Sequence, residues 1–559
     1  VWLDQLVRER RVFEVRLPGV GVDTVRWAAA EDAARYRDAF GVSLPLGLPR
    51  AFTEPVPQPL ETLVARYART HAPFTAEEVA RRFGTTVERV QGALTALEQS
   101  DRVVHGEFRP DGAAREYCDV DVLRQLRRRS LATLRREVEP VEPEALARFL
   151  PAWHGIPAQR GGLDQLVETL GVLQGAALVA SSLETQVLPL RVSGYRPTDL
   201  DELCTSGEVV WVGSGAIGSG DGRVRLFFAD QLPLLAAGIE PVEAPAGTLH
   251  DRIRDLLGSR GAVFWGQIRE ADPVATDTEL LAALWDLVWA GEVTNDSLAP
   301  LRAVIGGARA KPGSAAAART RGRPRPGRLN RIGPPAGAGR WSLVAPLLEP
   351  RPSSTVAAHA VATQLLERHG VLTREAALAE GVVGGFSAVY GVLKVLEERG
   401  QTRRGYFVSG LGAAQFSLPG AVDRLRGVRE VPDHDDSPPL VLAATDPAQP
   451  YGSTLAWPDS PGRPARSAGA LVVLHQGRPL VWFDPRSHHL VTFAAASDVS
   501  SSGRAIWAAA LADLVRSGRL RSAEVRKVDG APIDHTSAVV LALRSAGFAD
   551  GYRGLTLRR

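Results

Sequence analysis

One local pattern recurs five times along this chain and restricts the folds open to it more than any other feature. A leucine closes an amphipathic helical stretch, three residues follow, then a turn residue, one more residue, and the first residue of a strand. The copies are Leu97-xxx-Asp101-x-Val103, Leu203-xxx-Gly207-x-Val209, Leu287-xxx-Gly291-x-Val293, Leu396-xxx-Gly400-x-Thr402 and Leu514-xxx-Gly518-x-Leu520. In each, the leucine faces a core, the turn residue caps the helix in the left-handed region that glycine adopts without steric cost, and the chain turns into a hairpin. Glycine caps end many helices, so one copy would carry little weight. Five in matching context predict a repeated unit.

Three copies carry a fuller signature. Before the first, Pro73-Phe74-Thr75-Ala76-Glu77-Glu78 predicts a capping box on a short helix, Thr85-Thr86-Val87-Glu88 a second on a longer one, and Val103 to Phe108 opens a hairpin. Helix, helix, helix and wing is winged-helix order. It returns around Leu249 to Asn295, where Thr276-Asp277-Thr278-Glu279 caps the last helix, and again from Leu365 through Leu396 to a wing at Gly400 to Phe416. Generic three-helix bundles are the plainer alternative. From Leu440 the texture turns to strands, with Ala470 to Leu474 and Pro479 to Phe483 forming a hairpin and Leu490 to Phe493 adding to it.

The expected fold class is therefore α+β, mainly α: a tandem array of about five winged-helix modules with a small C-terminal β-barrel or β-rich domain. The expected boundaries are an N-terminal α/β segment at 1–58, winged helices at 59–150, 151–246, 247–301 and 341–430, a linker at 302–340, a β-rich, barrel-like domain at 431–500, and a winged-helix-like α/β unit at 501–559.

Composition agrees with several packed units. The 559 residues are 45% hydrophobic and 23% charged, which allows sizeable cores and excludes wholesale disorder. Net charge is only +3, and nearly all the positive charge is arginine, since Lys311, Lys394 and Lys527 are the only lysines. Codon bias accounts for much of that, but any nucleic-acid footprint must be local. The clearest local excess is the Gly/Pro/Ala/Arg-rich stretch 302–340, where no acid occurs between Asp296 and Glu349. Arg321, Arg323, Arg325 and Arg328 in it suit phosphate contact, while a solvated linker is the equal alternative.

The remaining signals are sparse. Arg403-Arg404-Gly405-Tyr406-Phe407 sits at an expected wing, where paired guanidiniums suit phosphate and an aromatic suits a base; packing of Tyr406 and Phe407 under the hairpin is the structural alternative. Arg223 and Arg225 alternate on another expected wing strand and would share a face, with plain solvent exposure the simpler explanation. Asp433-His434-Asp435-Asp436 reads as an acidic loop before Ser437-Pro438-Pro439, and His488-His489 has no partner at ligand spacing, so no metal is expected. Cys118 and Cys204 are far apart, and no apolar run reaches spanning length, which fits a reducing cytoplasm. With Val1 first and no methionine, the chain is expected to be part of a longer product.

Several stretches resemble the large helicase-related protein (Lhr) family. They are Arg26 to Arg35; Leu63 to His71 with Pro73-Phe74-Thr75; Leu200 to Cys204; Gly207 to Gly213 with Asp221 to Val224; Arg403 to Val408; Gly412 to Leu425; and Ala444-Thr445-Asp446-Pro447-Ala448-Gln449-Pro450-Tyr451-Gly452. The resemblance covers nearly the whole chain. It implies an ATP-dependent DNA translocase and helicase that loads on single strands, moves 3′ to 5′ and serves DNA repair. The motor, with its ATP and Mg, would lie N-terminal in the same polypeptide. No Gly-xxxx-Gly-Lys-Ser/Thr loop occurs in this chain, so it is expected to need no cofactor of its own. The implied partners are single-stranded or forked DNA and further copies of the chain, a tetramer among the assemblies admitted, with no membrane and a cytoplasmic, nucleoid-associated location.

The same region resembles AlkZ-like winged-helix DNA glycosylases, whose active site carries a Gln-apolar-Gln or Gln-apolar-Asp motif. The matching stretch here is Gly171 to Ala176, within 151–246. Gln174 occupies the first polar position as the candidate catalytic residue, and Ala176, which can neither orient water nor accept its proton, stands at the second. Excision of damaged bases is thus the rival reading, with Glu184 or Asp550 as substitute carboxylates.

Overall fold

The computed structural model describes residues 2–17, 26–71, 73–109, 115–126, 129, 139–218, 220–307, 333–412, 414–431, 437–497 and 505–559. The chain forms two compact units, Val1–Glu139 and Pro140–Arg559.

All five turn residues of the repeat are left-handed, with φ of 53° at Asp101, 83° at Gly207, 80° at Gly291, 70° at Gly400 and 82° at Gly518. The five leucines are buried. At Leu97, Leu287 and Leu396 the carbonyl accepts the N–H five residues on, at 2.9, 3.0 and 2.9 Å, which satisfies an otherwise orphaned helix-end acceptor. A sixth copy opens the chain: Leu6-xxx-Arg10-x-Val12, with Arg10 at φ 54° and the Arg11 N–H on the Leu6 carbonyl at 2.9 Å. It leads from helix Trp2–Arg8 into the strand pair Val12–Val15 and Arg26–Ala29. Arginine in place of glycine hid it from a search keyed to glycine.

In the first unit, helix Pro59–Thr70, strand Phe74–Thr75, helices Ala76–Phe83 and Val87–Gln99, and strands Val103–Gly106 and Glu116–Asp119 follow winged-helix order. The Thr75 hydroxyl accepts the Glu78 N–H at 3.3 Å and the Glu78 carboxylate accepts the Thr75 N–H at 2.8 Å, so the first capping box forms. The second does not, because the Thr86 side chain makes no cap bond.

The order returns three times in the second unit, around the sheets containing Leu178–Val179, Val263–Phe264 and Val371–Leu372. In each three-stranded sheet, the last strand in the chain lies between the other two. A fifth sheet, of Ser522–Val525, Ala549–Asp550 and Leu555–Arg558, has the same order. The fold is therefore α+β and mainly α, built on winged helices.

Two expectations change. The stretch 302–340 is not a linker between units: strand Val293–Asn295 pairs antiparallel with Arg340–Leu343, which pairs in turn with Val263–Phe264. The described residues on either side of the arginine-rich stretch therefore belong to one sheet of a single winged helix. The low complexity of the stretch suggested a boundary because composition cannot reveal that two strands on either side pair. Arg321, Arg323, Arg325 and Arg328 lie outside the described residues.

The second change concerns the β-rich region. Its six strands form an open sheet in the order Leu440–Ala443, Leu471–His475, Arg478–Asp484, His489–Thr492, Lys527–Val528, Ala531–Pro532, so it takes the β-rich form without barrel closure among the described residues. The cause is visible in one strand. Val472 and Leu474 belong to a core with helix Pro143–Trp153, whereas Leu471 and Val473 belong to another with helix Ile506–Arg516. A sheet covered on both faces reads as a continuous apolar run and has no need to close on itself.

A buried ion pair joins this sheet region to the preceding helices. Arg191 donates to both Asp446 oxygens at 2.9 and 2.6 Å, with the His154 Nδ1 3.2 Å from Arg191. Burial opposes charge on Asp446, and Arg191 overcomes it, holding the carboxyl below its usual range; burial and the same arginine push His154 well down. The Ala444 to Gly452 segment is thus tied to those helices through Asp446.

Candidate nucleic-acid interface

The wing at 403–417 is built on helix Gly385–Glu398, Gly400 and the pair Arg403–Gly405 with Gln415–Ser417. Successive strand residues face opposite ways. Arg403 points toward helix Ala421–Gly427, its Nη1 3.9 Å from Asp423, while Arg404 points toward the preceding helix, 3.9 Å from Glu397 and 5.9 Å from the centre of the Tyr390 ring. Both carboxylate distances exceed a hydrogen bond, and the two guanidinium side chains keep 58% and 40% of their exposure. They therefore flank the wing and do not converge on one point.

The aromatic pair is split. Phe407 packs against the core around Val141 and Val371, whereas Tyr406 stays 66% exposed. The turn is held from inside by Gln415, which is fully buried. Its Oε1 accepts the N–H groups of Phe407 and Val408, both at 2.9 Å, and its Nε2 donates to the Val408 carbonyl at 2.9 Å. A Cβ on Gly405 would lie 2.9 Å from the Phe407 ring, so glycine lets the ring fold back and project residue 406 outward. Sequence reasoning missed a second feature: exposed Ser387, Gly391 and Lys394 share one face of helix Gly385–Glu398 by their i, i+4, i+7 spacing. That spacing of small and basic residues was the available signal.

The other arginine pair separates differently. Arg223 is exposed, but Arg225 is tied down: its Nε donates to Ser214 at 3.0 Å, its Nη1 to the Gly175 carbonyl, and burial pulls its pKa down to about 10.

Gln174 lies buried at the end of helix Leu163–Leu173. Its Nε2 donates to Gln364 Oε1 at 2.8 Å; Gln364 donates to the Gly171 carbonyl at 2.9 Å, and Arg368 reaches the Gln174 carbonyl and Glu380. Burial opposes ionisation of Glu380, yet Arg368 and His369 hold its carboxyl well below the usual range. The adjoining cavity is about 40 Å³, room for roughly one water and not for a base. Ala176 is buried as well. Glu184 is clamped by Arg302 at 2.6 and 2.8 Å and by the Tyr195 hydroxyl at 2.6 Å, while Asp550 sits on the surface with Arg544 at 2.9 Å. The structure does not bring Gln174, Glu184 and Asp550 into one hydrogen-bonded group. Among the described residues, no cluster of three or more His, Cys, Asp or Glu side chains gathers, and no helix is long and apolar enough to cross a membrane.

Residues 351–437, 141–229 and 1–55 match family models of the large helicase-related protein winged-helix domain. These segments are similar to Lhr winged-helix domains. The whole chain is 44% identical to a Mycolicibacterium smegmatis protein named Lhr helicase/probable uracil glycosylase, and 99% of it is 33% identical to Escherichia coli Lhr helicase/uracil glycosylase. It spans 37% of the length of each. Among solved structures, the Streptomyces sahachiroi DNA glycosylase AlkZ aligns with 70% of this chain and 100% of its own at 13% identity and a TM-score of 0.42. The wing with Tyr406 lies within the match at 351–437.

Proposed function

We propose that this chain is the DNA-binding C-terminal module of an Lhr-type, ATP-dependent 3′ to 5′ DNA helicase, and that it grips single-stranded or forked DNA with the winged helix at 351–437. The observation that carries this reading is the wing itself: an exposed tyrosine held out by a buried glutamine, with an incompletely paired arginine on either side. An aromatic face accepts any base, and guanidiniums add salt-sensitive phosphate contacts. The face of Ser387, Gly391 and Lys394 offers a close approach beside one cation. Assembly into homo-oligomers around the helicase belongs to the same proposal and is read from solution mass with and without DNA.

The test is fluorescence anisotropy with single-stranded and forked DNA at two salt concentrations. A variant carrying Arg403→Ala, Arg404→Ala and Tyr406→Ala should bind at least about tenfold more weakly and with a shallower salt dependence. Unchanged binding would remove this wing from the interface.

The printed names of both relatives favour a second reading, excision of uracil from DNA. The packing of Gln174 directs that reading away from the Gly171 to Ala176 segment. Abasic-site formation on uracil-containing DNA tests it, and Gln174→Ala should leave any such activity in place if the chemistry lies elsewhere.

A further inference from the structure

A cavity of about 660 Å³ opens where three parts of the second unit meet: the segment Ser181 to Gln186, the six-stranded sheet at Pro485 and Arg486, and the chain entering strand Ser522–Val525. Its size falls within the range of small-molecule sites, roughly 300–1,000 Å³. Three arginines line it, Arg486, Arg519 and Arg521, against one carboxylate, Asp221.

That carboxylate is already neutralised. Asp221 accepts Arg486 Nη2 at 2.8 Å, the Ser181 hydroxyl at 2.6 Å and the Ser181 N–H at 3.1 Å. Two cations are left over. Arg519 donates to Gln186 Oε1 at 2.7 Å, and its buried Nε has no hydrogen-bond partner among the described residues. Arg521 is exposed, and no carboxylate pairs with it among the described residues. Uncompensated guanidiniums beside a cavity attract an anion, and their planar forks suit phosphate oxygens in particular. The Ser182 and Thr185 hydroxyls on the same wall supply further donors. Elsewhere Ile217, Ile305, Leu471 and Leu520 line the cavity with aliphatic surface. A free phosphate would leave that surface unused; a nucleotide would cover it.

We propose that this cavity binds a nucleotide, with the phosphate on Arg519 and Arg521 and the nucleoside against the aliphatic wall. The site is separate from the wing at 403–417 and does not depend on it. The nucleotide can be free or the phosphorylated end of a strand; both present the same chemistry.

The experiment uses the whole chain with four probes: thymidine 5′-monophosphate, thymidine, and a short oligothymidylate with and without a 5′-phosphate. Binding is measured by calorimetry for the first two and anisotropy for the others, each with Arg521→Glu and with Arg519→Ala. The expected result is a phosphate-dependent affinity that falls about tenfold or more in Arg521→Glu, whose exposed position leaves folding intact. Monophosphate binding with no 5′-phosphate preference among oligonucleotides assigns the site to free nucleotides. A 5′-phosphate preference assigns it to strand ends. Equal binding of thymidine and its monophosphate, joined with no preference between the oligonucleotides, overturns the proposal, as does indifference of every probe to Arg521→Glu.

Discussion

The wings at 103–119 and 403–417 use one turn to present different chemistry. Gly106 and Gly405 each let a phenylalanine two residues on fold back, since a Cβ would lie 3.3 Å from the Phe108 ring and 2.9 Å from the Phe407 ring. A buried side chain opening the final strand then holds the turn: Glu116 accepts the Phe108 and Arg109 N–H groups at 2.9 and 3.0 Å, as Gln415 does for Phe407 and Val408. In both, the residue between glycine and phenylalanine is exposed. The first wing puts Glu107 there, preceded by Val104 and His105; the other puts Tyr406, preceded by Arg403 and Arg404. Moreover, Arg109 pairs with Glu116, whereas Val408 faces neutral Gln415. Turn geometry is common property, and the exposed residue with those preceding the glycine is where the two wings differ.

Removing the shared acceptor should have the largest effect. Gln415→Ala leaves the buried Val408 N–H and the half-buried Phe407 N–H without a partner and is expected to cost about 2–5 kcal/mol, read from urea unfolding. A loss under about 1 kcal/mol would show that the turn does not rest on Gln415. Next comes Tyr406→Ala, expected to weaken single-strand binding by about 1–3 kcal/mol with little change in stability. Arg403→Ala and Arg404→Ala should each lower the slope of log affinity against log salt by about 1. If only one of them does, DNA follows one side of the wing.

Acid should separate the two wings. Burial opposes the Glu116 charge, but the two backbone N–H groups and Arg109 overcome it, so its pKa lies below the ordinary value. A depressed folded pKa means that its stabilising contribution is complete above the unfolded value of about 4.3 and is lost as pH falls through the folded one. The amide NMR shifts of Phe108 and Arg109 should follow that titration, while those of Phe407 and Val408 stay flat because Gln415 does not ionise. Parallel behaviour in both wings would contradict the assigned roles.

The fold was legible where one residue's backbone preference repeats. The leucine-to-strand pattern located five left-handed turns because a helix end leaves few alternatives, and Arg10 escaped only because arginine seldom marks such a site. The sheet spanning the Arg-rich stretch and the open sheet were less legible, since pairing of Val293–Asn295 with Arg340–Leu343 is a long-range fact. At the candidate interface the sequence singled out the wing stretch but left the aromatic roles open. Burial of Phe407 and exposure of Tyr406 depend on Gln415, eight residues beyond Phe407, which reads in sequence as an ordinary polar strand residue. Gln174 shows the converse: a motif position whose neighbours, Gln364 and Arg368, come from a distant helix that seals it.

The smallest expected effect is the most direct test of what distinguishes the wings. Glu107→Tyr should fold normally, because residue 107 is exposed and the glycine, the phenylalanine and the buried acceptor around it are unchanged. Exchanging one carboxylate for a ring removes a repulsion and adds a stacking face, yet Val104 and His105 supply no guanidinium where Arg403 and Arg404 stand, and His105 is engaged by Glu98. The gain in single-strand affinity should therefore stay under about 1 kcal/mol, the lower end of a base–aromatic stack. Adding Val104→Arg and His105→Arg should raise it and introduce a salt dependence. If Glu107→Tyr alone matches the loss caused by Tyr406→Ala, the tyrosine suffices and the flanking arginines are incidental. If the triple variant gains nothing, the helix face of Ser387, Gly391 and Lys394, where helix Val87–Gln99 carries Glu88, Gly92 and Thr95, carries the binding.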